Sequence, residues 1–471
     1  MSDAFEKRIK RQIIGKTHRF LAVVPLGFEQ TLVDEIGFIS VEMVANQPHI
    51  IGDGKVEWTA KITDAWKVVA YSRIANRVLM HIADFKAENF REFEKKASEI
   101  PWELYLQSPQ SLSIHVTCKH SRLYHSDAIA ERLENIIKEN SALKPIEREN
   151  DAPYQQNIYV NFLDDRCTFW LDLAGEELYK RGHERFVNDA PLKETIAAGM
   201  LFEAIRLNSK QSTSQDPSNS ALRASAQDDR SKEIQDNKGA HIALLDLMAG
   251  SGTFSLEAAY IANKLIPGVC RDFALKHQPA FKDATWNFIT KNATTQQAND
   301  SKQCKANHNP IVEKIVTSDI SERAIEIIMH NVECSPLANI EPKPIQPKLK
   351  DFFSYTAKEI VGACAENAAP IIVLNPPYGK RLDFDAPKLY TRIGRHLAEL
   401  AHDLNTLGKP LTVAILAPKD DTRDGAKYTC TTNLLRECPS LSPEHNASAK
   451  RIVTSHGGLT LNVFIAKLTS F

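Results

Sequence analysis

Apolar runs bounded by turn residues divide the chain into two rhythms. In the first third, Phe20 to Val24 reads as a strand, and Gly27 to Ile36 as a helix entered through a Pro-Leu-Gly turn. Val56 to Ile62 predicts another strand, Asp64 to Arg77 and Phe90 to Glu99 predict helices, and Leu112 to Thr117 then precedes a helix over Ala128 to Lys138. This α+β pattern continues to about Trp170. From Ala243 onward the pattern changes to short strand-like runs with apolar centres that each stop at an acidic or amide residue. Ala243-Leu244-Leu245 ends at Asp246, Lys314 to Ser318 ends at Asp319, and Ile371 to Leu374 ends at Asn375. Ser255 to Lys264 and Glu322 to Glu333 read as helices between them, the second capped by Ser321. The result is an α/β, Rossmann-like expectation, closed by a pair of strands at Arg451 to Thr454 and Leu459 to Leu468 around an SHGG turn.

Two polar stretches interrupt the pattern. Residues 208–240 are rich in Ser, Gln and Asp, nearly lack large apolar side chains, and predict a disordered insertion. A second polar insertion spans 290–310. Earlier, a charged linker over 173–190 leads to Pro191, well placed in the first turn of a helix running to about Leu207.

Composition narrows the class. No uninterrupted apolar stretch reaches membrane-spanning length, and the N-terminus, mixed in Lys, Arg and Glu, lacks a signal-peptide apolar region. The eight cysteines are scattered with no C-x-x-C pair, which argues against a structural zinc and for free thiols in a reducing, cytoplasmic setting. His330 and His396 fall on helices and read as structural or solvent-facing, so no metal is implied. A formal net charge of −1 means that any nucleic-acid surface is a local patch. One candidate is the N-terminal group Lys7, Arg8, Lys10, Arg11, Lys16 and Arg19. The other is the loop carrying Lys119, His120, Arg122, Tyr124 and His125, where cations and a ring suit phosphate contact and stacking, although by itself it reads more readily as a solvated turn.

The chemistry concentrates in two segments. In LLDLMAGSGTF, Leu244 to Phe254, a strand, tight turn and helix succeed one another, with Gly250 and Gly252 in the turn. Glycine there permits positive φ and close approach of backbone N–H groups to a ligand. Ser255 stands where a dinucleotide site would want a third glycine, so a pyrophosphate-binding reading loses ground. A turn without a ligand remains the alternative. In LNPPYG, Leu374 to Gly379, Asn375 sits at the end of a buried strand, the place where open α/β sheets bind ligands. The Asn375 side-chain carbonyl and the Pro376 main-chain carbonyl can accept both protons of a planar –NH2, Pro376 and Pro377 fix the turn without competing N–H groups, and Tyr378 offers a ring for stacking. A rigid turn with a packed tyrosine is the alternative.

LDLMAGSGTFSLEAA together with LNPPYG resembles the catalytic domain of class I S-adenosylmethionine-dependent amino-methyltransferases. DLAGEELYKRGHERFVNDAPLKETIAAGML, Asp172 to Leu201, is similar to the linker and first helix of THUMP-domain RNA guanine-N2 methyltransferases. CKHSRLYHSDAIAERL, Cys118 to Leu133, resembles the end of a THUMP domain. The resemblance extends to the guanine-N2 half of the bifunctional bacterial 23S rRNA enzymes and covers roughly residues 15–465. It implies a ferredoxin-like region at 1–65, a THUMP domain at 66–172, the linker, and a methyltransferase domain with a seven-stranded sheet at 191–471. Because the chain stops soon after the last strand pair, only the guanine-N2 half is expected.

The resemblance also implies roles. S-adenosylmethionine is the expected cofactor, held by Asp246 and by Ala249, Gly250, Ser251 and Gly252. Asp319 is expected to accept both ribose hydroxyls, Ile320 to pack on the adenine, Asp351 to lie near the adenine amino group, and Phe352 near its ring. The lesser alternative for Asp319 is a charge favoured by the dipole of the following helix, and for Asp351 a surface acid followed by core aromatics. PGVCRDFALKHQPAFKDATW, between the glycine turn and Asp319, matches an aromatic-containing excursion typical of the family. Pro191, Lys193, Glu194 and Thr195 resemble a segment that closes over the cofactor. Asn375, Pro376, Pro377 and Tyr378 form the catalytic motif, and Lys119, Arg122, Tyr124 and His125 the expected RNA contact. The expected activity is methylation of a guanine N2 amine in RNA, foremost 23S rRNA. tRNA is an alternative target. The motif alone also fits adenine-N6 methylation of nucleic acid and glutamine-N5 methylation of protein. A non-enzymatic RNA-binding assembly factor would predict decay of the glycine turn or of Asn375, and both are intact.

Overall fold

The computed structural model describes residues 3–39, 46–143, 154–187, 191–209, 241–299, 311–378, 385–421 and 429–468. The insertion expected at 208–240 lies outside these from residue 210 onward, as do residues 300–310 of the second insertion. The chain divides into two compact units.

The first unit comprises residues 1–24, 32–182 and 266–293. Its sheet has seven strands: β1 Thr17–Val23, β2 Asn46–Gly52, β3 Lys55–Lys61, β4 Arg77–Lys86, β5 Leu112–Lys119, β6 Gln156–Leu163 and β7 Arg166–Asp172. They lie in the order β2-β3-β1-β4-β7-β6-β5. The pairs are antiparallel except β5 with β6, which run parallel. Alternation drives this sheet: in β3, Val56, Trp58 and Ala60 point inward while their neighbours are partly or fully exposed. Phe20 stacks on Trp58 across the β1–β3 pair at 5.7 Å. One sheet runs through both sides of residue 65, because β4 pairs with β1.

The segment Ile266–Ala293 belongs to this unit. Arg271 explains how it is held, since its guanidinium donates to the carbonyls of Glu176, Glu177 and Lys180 at 2.7, 2.7 and 2.6 Å. Burial lowers the Arg271 pKa to about 10, which still leaves the group charged near neutrality.

The second unit carries β8 His241–Asp246, β9 Ile311–Asp319, β10 Lys348–Leu349, β11 Ala369–Leu374, β12 Thr412–Pro418, β13 Lys450–His456 and β14 Leu459–Lys467. Their order is β10-β9-β8-β11-β12-β14-β13. The first five run parallel, and β14 runs antiparallel between β12 and β13. Ile371 to Leu374 of β11 and every residue of β12 are buried, as strands covered on both faces must be. The helix Ala386–Thr406 supplies one cover with Tyr390, Ile393, Leu397, Leu400 and Leu404. The helix Glu194–Ser209 lies against β11, β12 and β14, and the helix Thr253–Ala262 packs on β8 and β9 with Leu256, Ala259 and Tyr260 in the core there.

The chain leaves β8 toward β9 on one side, and β11 returns on the other, so the strand order reverses between β8 and β11. A crevice at the carboxyl ends of such strands is where doubly wound sheets bind ligands. Register brings the polar strand ends to one level there, Val373 beside Asp246 and Asp246 beside Thr317.

Candidate active site

Asp246, Asp319 and Asn375 end β8, β9 and β11 on the same rim. The glycine turn follows β8. Gly250 and Gly252 have φ of 55° and 78°, in the left-handed region that favours glycine. A Cβ on Gly252 would meet Ile328 Cγ1 at 3.0 Å, so the turn also needs glycine for space. The turn is pinned from three sides. Ala249 N–H donates to the Ser318 carbonyl at 3.1 Å, Gly252 N–H to the Ala249 carbonyl at 2.7 Å, and Gly250 N–H to Asp319 Oδ2 at 2.8 Å.

Asp246 is fully buried. Its Oδ2 accepts from the Ser255 N–H at 3.1 Å and from Ser255 Oγ at 2.8 Å, and Ser255 Oγ also meets Thr317 Oγ1 at 2.8 Å. The residue in the place of a third glycine therefore has work of its own, tying the turn's helix to β8. Burial is the largest effect on the Asp246 carboxyl, and with the charge of nearby Asp319 it pushes the pKa up to about 7 against the Ser255 hydrogen bonds. Asp246 Oδ1 is buried with no hydrogen-bond partner among the described residues.

Asp319 is half-buried, and its Oδ1 accepts the Ser321 N–H at 3.0 Å while Ser321 caps the next helix. Beside it, Ile320 is 71% exposed, an apolar side chain held at the rim without a core to fill. Asp351 follows β10 and accepts the Phe353 N–H at 3.0 Å. Phe352 is only 2% exposed and packs edge-on against Phe353 and His396, so its ring belongs to the core. The exposed apolar groups at this rim are Ile320 and, level with Asp319 at the end of β10, Leu349.

At the end of β11, Asn375 Oδ1 is buried and accepts no hydrogen bond among the described residues. Pro376 and Tyr378 are buried and Pro377 is exposed. An unpaired buried carbonyl costs about 1–3 kcal/mol. An amine donor entering from the crevice would remove that cost.

The donor set fits S-adenosylmethionine. Two positive-φ glycines leave room for a backbone-to-ligand approach, and Asp319 retains lone pairs for a diol. Asp246 Oδ1 awaits a donor at the deep end, and Ile320 offers an apolar lid for a base.

Two residues that hold this turn, and a third that holds the chain at Pro191, carry no signal in the residue pattern. Arg185 forms an ion pair with Glu194 and donates to Thr253 Oγ1 and, at 3.4 Å, to Ser251 Oγ. Asn331, fully buried on the helix Glu322–Glu333, donates to the Ser251 and Phe186 carbonyls at 3.0 and 2.9 Å and accepts the Phe186 N–H at 2.8 Å. His456 Nε2 donates to the Pro191 carbonyl at 2.7 Å. Arg185 stands in the quoted RGHER stretch and Glu194 in the segment expected to close over the cofactor, but neither carried an individual assignment.

The four expected RNA contacts, Lys119, Arg122, Tyr124 and His125, lie in the first unit. Tyr124 is 66% exposed, with its ring 4.1 Å from that of His125. Arg122 is paired with Glu88, and its N–H donates to Asp165 at 2.7 Å. In the N-terminal group, Lys7 pairs with Asp3 and Arg8 with Glu103, which reduces the positive charge available there.

The fold and rim define the class I methyltransferase arrangement. Residues 239–408 match the family described as RMKL-like, methyltransferase domain, and residues 19–79 match the RlmL ferredoxin-like domain. The chain thus contains an RMKL-like methyltransferase domain over residues 239–408 and an RlmL ferredoxin-like domain over residues 19–79. It is 27% identical over 396 residues to the ribosomal RNA large subunit methyltransferase K/L of Allochromatium vinosum, covering 81% of this chain and 46% of that protein. It is 26% identical over 352 residues to the protein of the same name from Psychromonas ingrahamii, covering 74% of this chain and 40% of that one. The chain spans less than half the length of these relatives. Among solved structures, a possible methylase from Clostridium difficile 630 superposes with a TM-score of 0.65 at 22% identity, covering 97% of this chain and 99% of that one. SMU.472, described as a methyltransferase complexed with SAH, gives 0.67 at 19% identity, again with 97% and 99% covered. These two likenesses bear on the fold. No helix among the described residues is long and apolar enough to cross a membrane.

Proposed function

We propose that the chain methylates the exocyclic N2 amine of a guanine in RNA, with 23S rRNA as the substrate and the cytoplasm as the place of action. The observation that supports this reading is the buried Asn375 Oδ1 at the end of β11, which has no hydrogen-bond partner among the described residues and lies beside the strand-order reversal. The names of the curated relatives favour ribosomal RNA over other carriers of a planar amine.

S-adenosylmethionine, when bound, supplies a methyl carbon made electrophilic by its sulfonium. The chain's own residues position and align. Ala249, Gly250, Ser251 and Gly252 present the turn to the cofactor, and Asp319 and Ile320 hold its nucleoside end with Asp351. Asp246 faces the methionine end. Asn375 Oδ1 and the Pro376 carbonyl accept the two amine protons, which leaves the nitrogen lone pair directed at the electrophile, and the displaced proton departs to solvent. Tyr378 and Pro377 bound the base. Such catalysis is mostly orientation and electrostatic alignment. A guanine in a helix reaches this rim only after extrusion from its stack. Lys119, Arg122, Tyr124 and His125 are the proposed RNA contact of the first unit, with Tyr124 as the exposed ring.

The test is methyl transfer from labelled S-adenosylmethionine to total RNA from a strain lacking the gene, followed by nucleoside analysis. N2-methylguanosine in large-subunit rRNA is expected. The same nucleoside in tRNA would correct the target, and transfer only to protein or DNA would overturn the reading.

A further inference from the structure

Glu184, His330 and Cys334 form a group that the methyltransferase site does not use. Among the described residues they are the one set of three potential metal ligands whose ligand atoms all lie within 4.8 Å of one another. His330 and Cys334 stand four apart on the helix Glu322–Glu333 and its cap, on one face, with Nε2 3.4 Å from Sγ. A sulfur at about 2.3 Å and an imidazole nitrogen at about 2.0 Å from one tetrahedral ion are themselves roughly 3.5 Å apart, so this pair already has the spacing of two zinc ligands. Glu184 comes from the segment that crosses this helix. Two residues on, Phe186 is fixed to Asn331 by hydrogen bonds through both its N–H and its carbonyl, and its ring stacks on His330 at 3.8 Å. The third ligand is therefore placed by backbone contacts independent of any metal, and the His330 ring is held in orientation by Phe186.

We propose that Glu184, His330 and Cys334 bind a zinc-class divalent ion, with solvent as the fourth ligand at the exposed Glu184 side. Binding displaces the Cys334 thiol proton to solvent and takes the imidazole neutral. The ion bridges the 183–187 segment to the helix that also carries Asn331, so it fastens the stretch bearing Arg185, whose guanidinium grips the glycine turn. Neither the scattered cysteines nor the histidines announce this in the sequence, because the third ligand lies about 150 residues upstream of the His-x-x-x-Cys pair by chain count.

The test uses the full chain, freed of metal with a chelator and titrated with Co²⁺, then with Zn²⁺ as competitor. A thiolate-to-cobalt charge-transfer band saturating at one equivalent and abolished by Zn²⁺ is expected. Cys334→Ser and His330→Gln should each remove the band, and Glu184→Gln should weaken binding. Thermal melts of the metal-free variants establish that they are folded. Zn²⁺ should also slow hydrogen exchange at the Phe186 amide in the wild type and not in Cys334→Ser. Absence of the band, or a band that survives Cys334→Ser, would overturn the site. A band with unchanged Phe186 exchange would overturn the bridging role.

Discussion

Gly250 N–H donates to Asp319 Oδ2 at 2.8 Å, joining the turn after β8 to the end of β9 across 69 positions of chain. The other carboxylate oxygen accepts the Ser321 N–H, so one side chain fixes both the turn and the start of the next helix. Hydrogen bonds to charged groups contribute about 1.5–3 kcal/mol each. Asp319→Ala should therefore weaken S-adenosylhomocysteine binding by roughly tenfold or more, from the lost bridge and the lost diol acceptor together. Asp319→Asn, which keeps one acceptor, should fall between. Calorimetry decides it, and wild-type affinity in the alanine variant would remove Asp319 from the site.

Gly252→Ala meets two obstacles, a φ of 78° and an Ile328 methylene 3.0 Å from the new Cβ. Left-handed strain in a non-glycine residue costs about 1–2 kcal/mol. A lowered melting temperature is expected, with weaker cofactor binding. Gly362, inside a helix and with open space around its Cβ position, should tolerate alanine and serves as the control.

Arg185 and Glu194 have side chains only 12% and 11% exposed. Removing one partner of a largely buried pair costs about 3 kcal/mol because the other charge stays behind. Arg185→Ala should thus destabilise the fold and loosen the cofactor turn. The double change Arg185→Met with Glu194→Leu should recover much of the stability without recovering cofactor affinity, as chemical denaturation and ligand titration would show. Recovery of both would mean that Arg185 only packs.

Asp246 carries a pH signature. Its folded pKa of about 7 lies above the ordinary carboxyl value of 3.8, so the folded chain binds the proton more tightly than the unfolded one. Its contribution to stability is therefore present in acid and is lost as pH rises from near 4 to near 7. Asp246→Asn should flatten the stability profile across that window and gain most relative to wild type above pH 7. Denaturation midpoints measured at several pH values test this, and parallel profiles for the two proteins would contradict it.

Much of the rim was legible in the sequence because buried parallel strands are apolar runs that stop abruptly. Asp246 and Asn375 announce themselves as the first polar residues after such runs, and Asp319 as the first charged residue after Ile315-Val316. The supports were not legible. Arg185, Asn331 and His456 act on backbone carbonyls or on side chains far along the chain, and a bond to a carbonyl leaves no residue pattern to read. Arg271 hides for the same reason, although it helps fix Ile266–Ala293 within the first unit. Phe352 illustrates a different limit: an aromatic after a strand suits a ligand ring or a core equally, and here the core holds it. Strand β2, with Pro48 and polar neighbours, has no alternation to detect, and its pairing with β3 shifts register twice. The helix read as Asp64 to Arg77 ends at Tyr71, because Arg77 already begins β4.

The central claim is that Asn375 is an acceptor for the substrate amine and not for the cofactor. Its most direct test is single-turnover methyl transfer by Asn375→Ala beside a calorimetric titration with S-adenosylhomocysteine. The account predicts a fall in rate of roughly a hundredfold or more, as for loss of one well-placed polar group in an active site, with cofactor affinity unchanged. Near-wild-type transfer, or an equal loss of affinity, would contradict it.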